Sequence, residues 1–192
     1  MISLCVSGPQ LWRSLWCIPI FLSFILAALA VTADYVYLQL LEPRVADSLY
    51  NLSTAKIGSE LNSTFFYTKL VPTVPPSACS PIENSFEVSN NIAFSIRGGC
   101  SFVTKAVYAQ AAGAVAFIAY DYVNTSSWTL SMIQDETSRQ ITIPCAFMRG
   151  RLALEILTRL EAFGLKYAIV NFPVNSVGAS IAVVHHRPWT LW

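Results

Sequence analysis

Residues 92–121 read IAFSIRGGCSFVTKAVYAQAAGAVAFIAYD, and the fold turns on this stretch. It opens inside NIAFSI over 91–96, mostly apolar apart from Asn91 and Ser95, which reads as a buried-type strand. Arg97-Gly98-Gly99 breaks the run. Glycine accepts positive φ, so the backbone can reverse there within two residues. Ser101 is a helix N-cap residue, because its hydroxyl can accept the N–H three positions on. The alanines that follow (Ala106, Ala109, Ala111, Ala112) predict a helix to about residue 112, and Gly113 is placed to end it. AVAFIAY over 114–120 is a second buried strand. Strand, helix and strand in about thirty residues predict a crossover whose two strands run parallel.

Beyond this unit the pattern recurs. Residues 121–128 form a loop. Residues 141–148 predict a strand, with Pro144 suggesting an edge or a bulge. Leu152, Ile156, Leu157, Leu160 and Phe163 repeat at helical spacing over 151–163, Gly164 ends that helix, and KYAIVNF over 166–172 is the returning strand. Before the unit, residues 34–43 predict a strand in which Tyr35, Tyr37 and Gln39 alternate with Val36, Leu38 and Leu40. Residues 44–63 are more polar and read as a surface segment. Residues 65–71 predict another strand, and 72–81 hold four prolines and Cys79, a rigid extended loop.

The chain has 192 residues, 54% of them apolar and 12% charged, with a formal charge of +1 and a mean hydropathy of +0.51. That balance excludes a disordered chain and a nucleic-acid binder working by bulk basic charge. Much of the apolar excess sits in residues 15–31, LWCIPIFLSFILAALAV, which carry no charge. Arg13 before it and small residues at its end predict a secretory signal peptide. Cleavage fits after Ala30 or after Ala33, and Ala33 is preferred because the polar chain then starts at Asp34. An uncleaved anchor is the rival reading, opposed by Pro19 and by a run short of the ~20 residues that span a bilayer. Without Arg13, 11 basic residues balance 11 acidic ones. The mature chain is thus expected to bind no nucleic acid and to make no stable membrane insertion.

Cys5 and Cys17 leave with the signal. In an oxidising lumen Cys79 and Cys100 are read as a pair closing a 22-residue loop, worth roughly 3 kcal/mol in the chain-entropy model. Cys145 lies in an apolar run and reads as a buried thiol, with an intermolecular disulfide as the alternative. Three acceptor sequons, at Asn51, Asn62 and Asn124, predict N-glycosylation and outward-facing positions.

Taken together, Arg97-Gly98-Gly99-Cys100-Ser101-Phe102, Lys105-Ala106, Ala112-Gly113-Ala114 and the later Ile143-Pro144 resemble the signature of the protease-associated domain family. One departure is Arg149-Gly150, where that family often has an acidic residue before the glycine. The resemblance implies an α+β fold: a β-sandwich or open barrel-like sheet core, two flanking helices and a βαβ crossover. It implies a domain over 61–172. Around it lie the signal peptide (1–33), an N-terminal strand with a glycosylated surface segment (34–60) and a C-terminal tail (173–192). It also implies a peptide-binding edge, because in vacuolar sorting receptors the similar loop helps hold peptide cargo. Arg97, Gly98, Gly99 and Phe102 are the expected contact residues, and Arg97 beside a helix N-terminus suits a peptide carboxylate.

No catalytic constellation is legible. There is no G-x-S-x-G elbow, no H-E-x-x-H and no glycine-rich phosphate loop. His185 and His186 are adjacent, so on a strand or helix they point apart and make a poor metal pair. Asp135-Glu136 reads as a solvated loop rather than a pair of catalytic acids. The expectation is therefore a secreted glycoprotein, exported through the ER and Golgi, that is no enzyme and uses no cofactor or metal. It would act as an interaction module for an unknown protein or peptide partner. A secretory-pathway accessory or sorting factor is the alternative, and an unrecognised hydrolase the more remote one.

Overall fold

The alternation read in the first strand is borne out. In the computed structural model, strand β1 (Tyr35–Glu42) turns Val36, Leu38 and Leu40 inward and Tyr35, Tyr37 and Gln39 outward. The structure describes residues 35–44, 49–122 and 132–175. The apolar N-terminal stretch, Asn124, His185, His186 and the tail beyond residue 175 lie outside them. Six more strands follow: β2 (Leu49–Gly58), β3 (Phe65–Pro72), β4 (Ile92–Ile96), β5 (Ala116–Tyr120), β6 (Pro144–Met148) and β7 (Ala168–Val174). The helices are the single turn α1 (Ser85–Val88), then α2 (Phe102–Ala111) and α3 (Gly150–Ala162).

The strands close into one barrel in the order β1-β2-β6-β5-β4-β3-β7. This corrects the expected sandwich or open barrel: closure leaves no unpaired edge among these strands. The β4–α2–β5 crossover stands as predicted, with Ile92 beside Ala116 and Ile96 beside Tyr120 in parallel register. Ser101 caps α2, its hydroxyl accepting the Thr104 N–H at 3.1 Å.

Three expectations are corrected. Residues 49–58 are no surface segment but a barrel strand, so the barrel begins well before residue 61. Tyr50, Leu52 and Ile57 are buried there, while Asn51 and Ser53 face outward and lower the segment's average hydrophobicity. Of the edge or bulge that Pro144 suggests, the edge is excluded, because β6 pairs with both β2 and β5, and the irregular register beside Pro144 fits the bulge. Pro144 is the first residue of β6, where a missing N–H is tolerated, and the register against β2 shifts between Thr54 and Gly58. The second unit is no repeat of the first. Strand β7 lies between β1 and β3, antiparallel to both, since both sides of β6 are already occupied.

Apolar residues form two clusters, one on each side of the sheet. The barrel interior holds Leu38, Leu52, Phe94, Ile118, Met148 and Phe172, and α3 joins it through Ala153, Ile156 and Leu160. Phe163, at the C-cap of α3, faces solvent instead. The second cluster lies outside β4, β5 and β6, where Val103, Ala106 and Ala109 of α2 pack on Ala93, Phe117 and Phe147. A strand buried on both faces is nearly continuously apolar, which is why 92–96, with Ser95 as its one polar residue, and 116–120 read as buried runs.

Candidate functional site

The site is built where β4 and β5 end side by side. Because Ile96 pairs with Tyr120, the next residues, Arg97 and Asp121, are neighbours. The Arg97 N–H donates to the Tyr120 carbonyl at 2.7 Å. Its guanidinium Nη1 donates to Asp121 Oδ2 at 3.1 Å and Oδ1 at 3.3 Å. Asp121 is buried, and its Oδ1 also accepts the Tyr122 N–H at 2.8 Å. Among the described residues only Nη1 is engaged, so Nε and Nη2 of the half-exposed guanidinium have no hydrogen-bond partner there.

Gly98 and Gly99 then turn at φ +93° and +81°. A side chain at Gly98 would meet the Tyr122 hydroxyl at 2.6 Å, and one at Gly99 the Cys79 sulfur at 3.1 Å. Cys79 and Cys100 are bonded, as read from the sequence, so the turn is stapled to the proline-rich loop. Beneath it lies Lys105, fully buried. Its ammonium donates to the carbonyls of Ser77 and of Gly98 (2.7 Å) and touches Cys79 Sγ at 3.4 Å. Burial pushes its pKa down. Three acceptors match the three N–H bonds of an ammonium, so one side chain ties both loops together. Phe102 stands at the rim, half-buried and edge-on to Phe147 at 5.9 Å. It is therefore as much a packing residue as a contact residue.

Asp135 is not simply a solvated loop residue. It accepts the Ser101 hydroxyl at 2.6 Å and the Arg139 guanidinium at 2.8 Å, and Arg139 also reaches Thr104. The loop is thereby latched to the cap of α2. The Ser101 hydroxyl first, then Thr137 and Arg139, hold the Asp135 carboxyl down at about 2. A depressed carboxylate favours the latched state above its unfolded value, and that support fades as pH falls through the folded one. Nuclear magnetic resonance titration of the Asp135 carboxyl is therefore expected to show an intact latch from neutral pH to about pH 4. A midpoint at the ordinary aspartate value would sink the assignment.

Cys145 is free and buried, and burial pushes its thiol up to about 12, which disfavours the thiolate at neutral pH. Among the described residues no group of three His, Cys, Asp or Glu side chains could hold a metal ion. No helix among them is long and apolar enough to cross a membrane. Asn51 and Asn62 both lie on the outside, the first on β2 and the second exposed between β2 and β3. Reading the sequence missed Lys105 as the clamp and Asp121 as the partner of Arg97. The second had a signal: two parallel strands of matched register end in opposite charges.

The barrel, its crossover and the stapled glycine turn define a known class. The chain belongs to the protease-associated (PA) domain family, whose profile matches residues 66–156. It is 34% identical over 167 residues to the PRADC1-like protein of Drosophila melanogaster, covering 84% of this chain and 85% of that one. Among solved structures it resembles the aminopeptidase from Aneurinibacillus sp. strain AM-1 (TM-score 0.52, 16% identity, 76% of this chain). It also resembles a zinc aminopeptidase from Bacillus subtilis (TM-score 0.43, 18% identity, 76% of this chain). The match spans 32% of the first enzyme and 31% of the second. The likeness to the first is one of fold alone.

Proposed function

We propose that this chain is a secreted, non-catalytic interaction module that holds a peptide or protein partner at the Arg97–Phe102 turn, with residues 1–33 as a leader that is removed. The observation that carries this is the open guanidinium edge of Arg97, fixed from behind by buried Asp121 on a turn locked by the disulfide and Lys105. A preorganised donor of this kind binds a carboxylate or carbonyl with little ordering cost. The disulfide supports an oxidising compartment.

The test is selection of a random-peptide library on the immobilised protein, repeated with Arg97→Ala. Loss of a charge-assisted hydrogen bond is expected to weaken selected peptides about tenfold or more. Arg97 is the cleaner probe, since Phe102→Ala also removes packing on Phe147. Selected peptides that bind Arg97→Ala unchanged would remove this site from the proposal.

A further inference from the structure

The outer surface of the barrel is divided. Over β4, β5 and β6 it is covered by α2 and by the loops carrying Ala78, Ile82 and Met132. Over β1 and the first half of β2 no helix among the described residues contributes to this outer cover. Val36, Leu38, Leu40, Tyr50 and Leu52 point to the interior, and the outward positions are Tyr35, Tyr37 and Gln39 on β1 and Leu49, Asn51 and Ser53 on β2. The antiparallel register sets Asn51 directly opposite Tyr37, and Ser53 directly opposite Tyr35. Such cross-strand partners stand about 5 Å apart at Cβ. Asn51-Leu52-Ser53 is an acceptor sequon, so its asparagine and its serine each face a tyrosine.

Asn51 also differs from Asn171 on β7 and from Asn91 just before β4. Asn171 is tied to the Tyr67 N–H and to Gln39, and Asn91 to the Lys69 N–H and two carbonyls. The Asn51 amide has no hydrogen-bond partner among the described residues. It sits across from a partly exposed aromatic ring, that of Tyr37.

We propose that Asn51 carries an N-linked glycan whose first sugar lies across the ring of Tyr37, so that the glycan covers the outer face of β1 and the first half of β2. This rests on the secretory route proposed above. A pyranose presents C–H groups on one face, and their partial positive charge suits the negative face of an aromatic ring. Tyr35, 44% exposed and two residues away on the same face, extends the platform. In the transfer, Asn51 Nδ2 forms a bond to the anomeric carbon of a lipid diphosphate-linked oligosaccharide. The anomeric C–O bond breaks, the lipid diphosphate leaves with the electron pair, and the proton the amide loses passes to solvent. Leu52 is buried and β2 is paired on both sides, so transfer precedes closure of the barrel.

The experiment uses the full chain secreted from eukaryotic cells. Peptide mass spectrometry gives occupancy at Asn51 and Asn62, and a time course of peptide-N-glycosidase on the native protein gives release rates at each. Asn51 is expected to be occupied and to be released roughly fivefold more slowly than in Tyr37→Ala, with Asn62 unchanged. Tyr37→Phe keeps the ring and is expected to keep the slow rate. Ring-current shifts of the sugar C–H protons in the unsubstituted glycoprotein report the stacking without any variant. Asn62 glycosylated with Asn51 bare overturns the proposal, as does an occupied Asn51 with no ring-current shift and a rate indifferent to Tyr37→Ala. A chain retained in cells with both sequons bare overturns the secretory reading, and this proposal with it.

Discussion

Lys105→Met is expected to cost about 3 kcal/mol, lowering the midpoint of thermal unfolding by about 10 °C. Methionine fills the space but donates nothing, so the carbonyls of Ser77 and Gly98 are left buried without their partner. Each unsatisfied group of this kind costs about 1–3 kcal/mol. The same logic predicts coupling to the disulfide. Removing the staple with Cys79→Ala and Cys100→Ala is worth about 3 kcal/mol in the chain-entropy model. Lys105 and the staple hold the same two loops, with Nζ 3.4 Å from Cys79 Sγ, so the combined variant is expected to lose less than the sum. Strict additivity would show that they act independently and refute a single clamp. Loss of Arg97-dependent peptide binding should accompany Lys105→Met, because the turn that presents Arg97 is no longer held.

Gly150→Ala is expected to be comparably severe, at about 3 kcal/mol, for a different reason. The added Cβ would stand 2.3 Å from the Tyr122 carbonyl oxygen and 2.5 Å from that of Asp121. Both are backbone atoms, so no side chain can swing aside. Either the first turn of α3 or the segment after β5 must move. Movement of the second displaces Asp121, and with it the carboxylate that orients Arg97. Thermal unfolding and peptide affinity are thus expected to fall together, although Gly150 makes no contact proposed for a ligand. A folded, fully binding Gly150→Ala would show that this close approach is not needed. The position also bears on Arg149: the family's acidic residue is absent, and no side chain caps α3 here, yet the glycine that permits the approach is retained.

The motif was legible because its parts are local. Ser101 caps α2, Gly98 and Gly99 take positive φ, and Cys79 pairs with Cys100, each within about two dozen residues. Residues 49–58 were misread because half of a strand's side chains face water, and average polarity hides a period of two. The helix after β6 was found, but not the destination of the strand that follows it. Lys105 read as one piece of a signature. Its task depends on Ser77 and Cys79, which reach it only when the proline-rich loop folds back.

By itself, then, the sequence determined the β4–α2–β5 crossover, its stapled turn and the family. Helix caps, turn glycines and runs buried on both faces are written in neighbouring residues. Only the tertiary structure decided that the barrel closes, that β2 belongs to it, that β7 lies between β1 and β3, and that Asp121 backs Arg97. The physical reason is that every strand edge must find a backbone partner. Which edge remains free for which strand is settled by the whole chain at once, across separations that no local pattern encodes.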